Sequence, residues 1–116
     1  MTQISGVDLL SQQIITLKGE LLCIAPLSFW GGLDSTSGMI IDARHPSFGI
    51  CLSHKIVQMP YAKGSSSSSS VLLEAIRLGT APKAMILERP DPILLVAVLV
   101  AFELYQLSMP ILVQPA

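Results

Sequence analysis

Apolar and polar residues are spaced differently in the two halves of the chain. Up to residue 60 the apolar residues come mainly in short runs of strand length, and beyond it such runs alternate with longer apolar stretches. Residues 71–78 have helical spacing, and residues 93–102 are continuously apolar. The predicted strands are residues 20–25, 39–42, 54–59, 83–87 and 110–114. The pattern predicts a mostly β N-terminal half and a β-α-β-α-β C-terminal half.

Both predicted helices have recognisable ends. Gly79 follows the first, and Asp91 with Pro92 provides an N-cap and a first helical residue for the second, which runs to near Leu107. The β-α-β alternation favours parallel pairing. We therefore expect one α/β domain over residues 1–116, with a small barrel or sandwich packed beside the parallel strands. Residues 1–18 are mixed in pattern, with a possible short strand at residues 14–15.

The apolar run at residues 93–102 is too short for a membrane span, which needs about 20 residues. Glu103 follows the run at once, so we expect a helix buried on nearly all sides. Hydrophobic residues make up 51% of the chain and charged residues 13%. This composition predicts an apolar face that pairs with another chain.

The net charge of −1 and the lack of a basic cluster argue against nucleic-acid binding. Cys23 and Cys51 are far apart in the sequence, which predicts two buried thiols and leaves a disulfide or a lone metal ligand as alternatives. Residues 1–10 lack the basic region and apolar core of a signal peptide. We expect a cytoplasmic protein that binds neither membrane nor nucleic acid.

Six serines, residues 65–70, follow Gly64 and lead directly into the first predicted helix. Such a run can be a flexible linker or the anion-binding mouth of a helix. Because a polar linker does not usually enter an amphipathic helix directly, the context favours the helix mouth, whose free N–H groups attract anions. Lys63 adds a positive charge, and Gly64 allows close approach of a ligand to the backbone.

Two loops before the serine run are further candidates. Residues 26–34 contain the only tryptophan, Trp30, and two glycines, which fits a loop at an interface or site, or a turn with one core aromatic. Asp42, Arg44 and His45 follow a predicted strand and can line a site. Alternatively, Asp42 caps the next turn and His45 is solvated.

Several motifs together resemble the small subunit, or swivel domain, of aconitase X proteins. They occur in the family's order over about residues 19–114, at residues 26–32, 38–42, 45–46, 63–66 and 79–82. The resemblance implies the swivelling β/β/α fold of the fourth aconitase domain. It also implies a hydro-lyase, since the family includes cis-3-hydroxy-L-proline dehydratase and mevalonate 5-phosphate dehydratase.

The resemblance also implies roles for single residues. Ser65 matches the general base, and Ser66 matches a serine that contacts the substrate carboxylate. Ser67 stands where true aconitases have arginine, which fits a substrate smaller or less acidic than citrate. Residues 68–70 are expected to form the first helical turn and cap its N–H groups. The full substrate-binding set expected from the sequence is Lys63, Gly64, Ser66, Ser67, Asp42 and His45.

Dehydration of a 3-hydroxy acid needs a base, a group that stabilises the developing charge, and a Lewis acid. This chain offers the first and part of the second, but its two cysteines and two histidines do not make a metal site. By the resemblance, a large partner subunit holds an iron–sulfur or iron centre, and no cofactor binds to this chain. Residues 29–32 are a candidate for the joint surface.

The leading hypothesis is a subunit that dehydrates cis-3-hydroxy-L-proline or a related small hydroxy acid. Dehydration of mevalonate 5-phosphate is the alternative within the class. Outside the hydro-lyase class, the chain could be a non-catalytic anion-binding or regulatory module. A third alternative is a structural protein with a disordered serine loop.

Overall fold

The computed structural model describes residues 1–115, which form eight strands and three helical segments. In chain order these are β1 (Thr2–Val7), β2 (Ile14–Gly19), β3 (Leu21–Cys23), α1 (Phe29–Gly32), β4 (Leu33–Asp34), β5 (Met39–Ile40), β6 (Ile56–Gln58), α2 (Ser67–Leu78), β7 (Ala84–Leu87), α3 (Pro92–Tyr105) and β8 (Ile111–Val113).

A parallel sheet of four strands, in the order β3-β6-β7-β8, forms the middle layer. Because successive side chains of a strand point to opposite faces, β7 divides its buried residues between two cores. Met85 and Leu87 belong to the core shared with α2 and α3. Ala84 and Ile86 belong to a smaller core on the other face, together with Leu17 of β2. The predicted parallel pairing of the C-terminal half is confirmed.

The β1–β2 hairpin is the third layer and covers the sheet face opposite the helices. The mostly β N-terminal half is thus a small sandwich against the sheet, not a closed barrel. The sequence pattern indicates only residues 14–15 as strand and misses β1. Gly6 interrupts the apolar–polar alternation that would have indicated β1 as a strand. A Cβ at this position would lie 3.2 Å from Leu112 Cδ1, so a small residue is needed for the hairpin to approach β8.

Helix α2 begins at Ser67, one residue before the first turn expected at residues 68–70 and four before the helical spacing of residues 71–78. The serine run is therefore mostly helical, and the interpretation of it as a linker or disordered loop is wrong. The helix ends, as predicted, at Gly79, whose φ of 79° favours glycine. Its buried residues are Ser68, Leu72, Ala75 and Ile76.

Helix α3 begins as predicted, with Pro92 in its first turn and the Asp91 carboxylate accepting from Ile93 N and Leu94 N at 2.9 and 3.1 Å. The expectation that it is buried on nearly all sides is wrong. One face is buried, whereas Val96 and Phe102 on the opposite side are about half exposed. The buried residues are Leu94, Ala97, Val98 and Ala101. Within residues 1–115 no helix is long and apolar enough to cross a membrane.

The connection between β3 and β6 contains α1, β4 and β5. Segment α1 is a kinked turn, in which Phe29 is fully buried and Trp30 is 65% exposed. The core aromatic that the sequence allowed for this loop is thus Phe29. Strand β5 is shorter than the predicted residues 39–42, because the chain turns outward after Ile40 and leaves Ile41 half exposed.

The two cysteines are free, and the predicted burial of both is wrong. Cys23 is exposed and Cys51 is half-buried. Cys23 ends β3 at the sheet edge, where its thiol donates to Gln58 Oε1 at 3.5 Å. The Cys51 thiol donates to the Ser37 carbonyl at 3.6 Å. A side-chain hydrogen bond with Ser53 lowers the pKa of Cys51.

Candidate functional site

The candidate site lies at the carboxyl edge of the parallel sheet, where the segments after β3 and β6 meet. Open α/β sheets bind ligands at this edge. Lys63 N donates to the Leu27 carbonyl at 3.0 Å, which joins the two segments side by side. Next to this junction is a cleft of about 360 Å³. Its lining residues are Ala25, Pro26, Ser28, Asp42, Arg44, His45, Pro46, Tyr61 and Lys63.

The entry to α2 follows Lys63 directly. Ser65 is exposed, and its Oγ accepts a hydrogen bond from Ser67 N at 3.4 Å. Ser66 is the N-cap residue and makes no side-chain capping bond. A helix N-terminus carries the positive end of the helix dipole, and here Ser68 N and Ser69 N already donate to the Ser65 and Ser66 carbonyls at 3.0 and 3.1 Å. The first turn of α2 therefore offers a favourable place for negative charge on the Ser65 oxygen or on a ligand.

The next serines do not cap N–H groups as expected from the sequence. The Ser69 hydroxyl donates to the Ser66 carbonyl at 2.6 Å. The buried Ser68 hydroxyl donates to the Lys63 carbonyl at 3.5 Å. Both therefore act as donors to backbone oxygen, and only the Ser65 hydroxyl accepts from an N–H of this turn.

Gly64 provides the tight turn between Lys63 and the helix. Its φ is 106°, in a region that side chains rarely adopt. A Cβ at this position would lie 2.7 Å from both Ser28 Oγ and Ser68 Oγ. Glycine thus lets the backbone pass between these two hydroxyls, and it brings the start of α2 against Ser28, which lines the cleft.

The opposite wall of the cleft is the loop that follows β5. Asp42 Oδ1 accepts from Arg44 N at 2.9 Å, so Asp42 caps this turn. His45 is buried, so the alternative that it is solvated is wrong. Its Nε2 lies 2.9 Å from the Ala25 carbonyl, and its Nδ1 accepts from Ser47 N at 3.0 Å. A carbonyl can only accept, so His45 is the Nε2–H tautomer, with both nitrogens bonded to backbone.

The fold therefore brings together several residues singled out in the sequence. Asp42, His45 and Lys63 line one cleft. Gly64, Ser65, Ser66 and Ser67 follow Lys63 in the chain and lead into α2, but they are not among the lining residues of the cleft. The set chosen from the sequence omits Ser28, Arg44 and Tyr61, which also line the cleft. Ser28 and Tyr61 follow the parallel strands β3 and β6, a position that could have indicated them, whereas Arg44 follows β5 of the antiparallel β4–β5 pair.

A second cleft, of about 320 Å³, adjoins the first and shares Tyr61 with it. The Arg89 guanidinium lies over the Tyr61 ring, 5.8 Å from its centre. Arg89 follows β7, so a third strand adds a cation to the same edge of the sheet.

The donor set of this chain does not fit a metal cluster. Among residues 1–115, no three His, Cys, Asp or Glu side chains are grouped so that they could hold a metal ion. Cys23 ends β3, Cys51 lies in the loop after β5, and both are free.

Comparison with known proteins decides the family. The family profile described as the aconitase X swivel domain matches residues 10–115. The chain belongs to this family. The resemblance seen in the sequence motifs is thus confirmed. The swivel domain also resembles the crystal structure of Thermococcus kodakaraensis aconitase X in its holo form. The TM-score is 0.72 at 25% identity, over 97% of this chain and 72% of that one, which confirms the fold.

Two curated relatives carry dehydratase names. The swivel domain is 48% identical over 96 residues to a cis-3-hydroxy-L-proline dehydratase of Pseudomonas aeruginosa, covering 81% of this chain and 16% of that protein. It is 36% identical over 81 residues to the phosphomevalonate dehydratase small subunit of Methanothermobacter thermautotrophicus, covering 70% of this chain and 62% of that protein. The chain therefore spans about a sixth of the first relative and less than two thirds of the second.

Proposed function

We propose that this swivel domain is the small subunit of an aconitase X-type hydro-lyase and supplies Ser65 as the base that dehydrates a small 3-hydroxy acid. The substrate proposed is cis-3-hydroxy-L-proline, in keeping with the name of the 48% identical relative. The observation that carries the proposal is the position of Ser65, which is exposed at the entry to α2, two residues after the cleft residue Lys63, with its Oγ accepting from Ser67 N.

The reaction removes a proton from the carbon next to the carboxylate and the hydroxyl from the neighbouring carbon. Ser65 Oγ accepts the proton, the C–H electron pair forms the double bond, and the hydroxyl departs, so that one water is lost in total. A serine oxygen is a weak base unless its anion is stabilised. Ser67 N–H and the dipole of α2 provide this stabilisation.

The other predicted residues have binding roles in this proposal. Ser66 and Ser67 present hydroxyl and N–H groups to the substrate carboxylate, and Lys63 adds a positive charge. Gly64 lets the ligand approach the backbone. Asp42 and His45 shape the facing wall, since Asp42 Oδ1 and both nitrogens of His45 are bonded to backbone.

Part of the active site is assigned to a large aconitase X-type subunit, which would hold the iron–sulfur or iron centre. Exposed apolar residues support such a partner. Trp30 is 65% exposed beside the cleft, and Val96, Leu99 and Phe102 form an uncovered apolar row on α3. A helix that is apolar on all sides is normally covered on all sides. The cytoplasmic location expected from the sequence stays a prediction.

Mevalonate 5-phosphate is a second candidate substrate, and the second cleft favours it. That cleft lies beyond Tyr61 and carries Arg89, so a longer substrate could place its phosphate there. Comparing turnover of the two substrates by one complex distinguishes the candidates.

Ser65→Ala in the complex reconstituted with the large subunit tests the proposal. We expect kcat to fall by about 100- to 10,000-fold, since the proton acceptor is lost. The small and large subunits should still co-elute in size-exclusion chromatography. Ser70→Ala is the matched control, because Ser70 is an exposed serine of the first turn of α2 and lies outside the proposed site. Unchanged turnover of Ser65→Ala would contradict the assignment and favour a non-catalytic anion-binding module.

A further inference from the structure

The cleft beside α2 has more positive than negative side chains. Lys63 lines one wall and Arg44 the other, whereas Asp42 is the single carboxylate in the lining. The salt bridges within residues 1–115 are formed by Lys55 and by Arg77. In that part of the chain, neither Arg44 nor Lys63 is ion-paired. Two cations face one small cleft, and neither has a carboxylate partner from the domain itself.

Asp42 does not neutralise the Arg44 side chain. Its Oδ1 accepts from the backbone N–H of Arg44 at 2.9 Å. The Asp42 carbonyl accepts from His45 N at 3.0 Å, which closes the same turn. The carboxylate thus fixes the Arg44 backbone and leaves the guanidinium, with its five N–H donors, available to a ligand.

His45 holds the position of Arg44 from the other side. The imidazole is buried and links the turn to the Ala25 carbonyl, 20 residues earlier in the chain, at 2.9 Å. Its second nitrogen accepts from Ser47 N at 3.0 Å. Arg44 therefore projects from a turn whose backbone is tied to both sides. Such preorganisation reduces the cost of ordering a binding residue when a ligand arrives.

We propose that Arg44 is a further specificity-determining residue, whose guanidinium binds the carboxylate of the substrate from the wall opposite Lys63. The planar fork of arginine matches a carboxylate with two parallel hydrogen bonds. This inference rests on the proposed function, because it concerns the substrate of the same cleft. Arg44 would select a substrate with a carboxylate. By binding that carboxylate it would also orient the neighbouring carbon toward the N-terminus of α2.

The test compares a carboxylate with its amide in the reconstituted complex. L-Proline and L-prolinamide differ only at the group that Arg44 would bind. Their dissociation constants are measured by calorimetry for the wild type, Arg44→Gln, Arg44→Lys and Arg77→Gln, and KM and kcat for cis-3-hydroxy-L-proline are measured alongside. Arg77 is the control because its guanidinium is exposed on the last turn of α2 and paired with Glu74.

We expect the wild type to prefer L-proline and Arg44→Gln to lose about tenfold or more of that preference, the value of one charge-assisted hydrogen bond. Binding of L-prolinamide should stay within about twofold, which a general loss of structure would not allow. Arg44→Lys should recover part of the preference, and KM should rise more than kcat falls. Arg77→Gln should match the wild type.

Three results would overturn the role of Arg44. These are an equal loss for both ligands in Arg44→Gln, an unchanged preference in that variant, or a wild type that does not prefer L-proline. A wild-type complex without turnover of cis-3-hydroxy-L-proline refutes the proposed substrate. The calorimetric preference still decides Arg44 in that case, since it does not depend on turnover.

Discussion

Helices α2 and α3 both begin at the carboxyl edge of the same sheet, but their N-termini differ. The start of α3 is closed by its own sequence, since the Asp91 carboxylate accepts from Ile93 N and Leu94 N and Pro92 has no N–H to satisfy. The start of α2 has no carboxylate in its first turn, and its N-cap residue Ser66 makes no side-chain capping bond. Helix α3 thus has the Asp91 carboxylate at its N-terminus, whereas α2 has no carboxylate of its own there.

This difference separates a structural helix end from a candidate functional one. Capping by aspartate stabilises a helix by about 1 kcal/mol. In α2 the Ser65 hydroxyl takes the place of a carboxylate and accepts from Ser67 N, while Ser68 N and Ser69 N donate to backbone carbonyls of the same turn. Gly64 belongs to the same arrangement, because its backbone conformation directs the chain into the open helix end.

The largest expected effect comes from closing α2 in the way that α3 is closed. Ser66→Asp places a carboxylate at the N-cap position, next to Ser65, where it repels negative charge on the Ser65 oxygen and on a substrate carboxylate. We expect the stability of the domain to stay equal or rise by about 0.3–1 kcal/mol. Turnover of the complex should fall on the order of 100-fold, as when an anion-binding donor is removed from an active site.

The matched control for that variant is Ser70→Asp, which adds the same charge later in the first turn of α2. Thermal unfolding and steady-state kinetics are measured for both. If Ser66→Asp kept wild-type turnover, the open end of α2 would not be the site of anion binding.

A smaller effect is expected when the turn into α2 is crowded. In Gly64→Ala the new Cβ meets Ser28 Oγ and Ser68 Oγ at 2.7 Å, in a backbone conformation unfavourable for alanine. We expect a loss of about 1–3 kcal/mol in the free energy of unfolding, together with reduced turnover because Ser65 is displaced. Urea denaturation and kinetics measure the two effects.

Gly79→Ala is the control for backbone strain alone. Its φ is also positive, at 79°, but nothing lies within 4 Å of the added Cβ. This variant should be destabilised less than Gly64→Ala and should retain turnover. Equal effects of the two substitutions would show that strain, and not the contact with Ser28 and Ser68, makes Gly64 necessary.

The smallest effect is expected at the closed helix. Asp91→Ala removes the side-chain acceptor for Ile93 N and Leu94 N, and should cost about 1 kcal/mol of stability with turnover unchanged. Asp91→Asn retains an acceptor oxygen and should lose less. A loss of turnover in Asp91→Ala without a loss of stability would place the start of α3 in the active site as well.

Local sequence rules predict the C-terminal half of the fold well. Gly79 and the Asp91–Pro92 pair mark helix ends because capping depends on neighbours in the chain. The start of α2 is predicted late, since serine favours turns and caps by propensity and its helical state here depends on the turn at Gly64. The outer face of α3 is predicted as buried because its residues are apolar. Hydropathy does not show whether such residues are covered by the same chain or left exposed.

The candidate site is less predictable than the fold. The motif at Gly64 and Ser65 stands out within a few residues of sequence. The burial of His45, by contrast, depends on a hydrogen bond to Ala25, 20 residues away. Ser28 pairs with Lys63 because β3 and β6 are adjacent parallel strands, and this pairing follows from the tertiary fold and not from local pattern.

The connection between β3 and β6 contributes one side of the cleft, including Ser28 and Arg44, whereas the crossover from β6 into α2 contributes Lys63 and Ser65. In the proposed function, the specificity residue Arg44 and the base Ser65 therefore lie in separate stretches of the gene. Under that proposal, substitutions in the first stretch change which acid is accepted while the second keeps the proposed base.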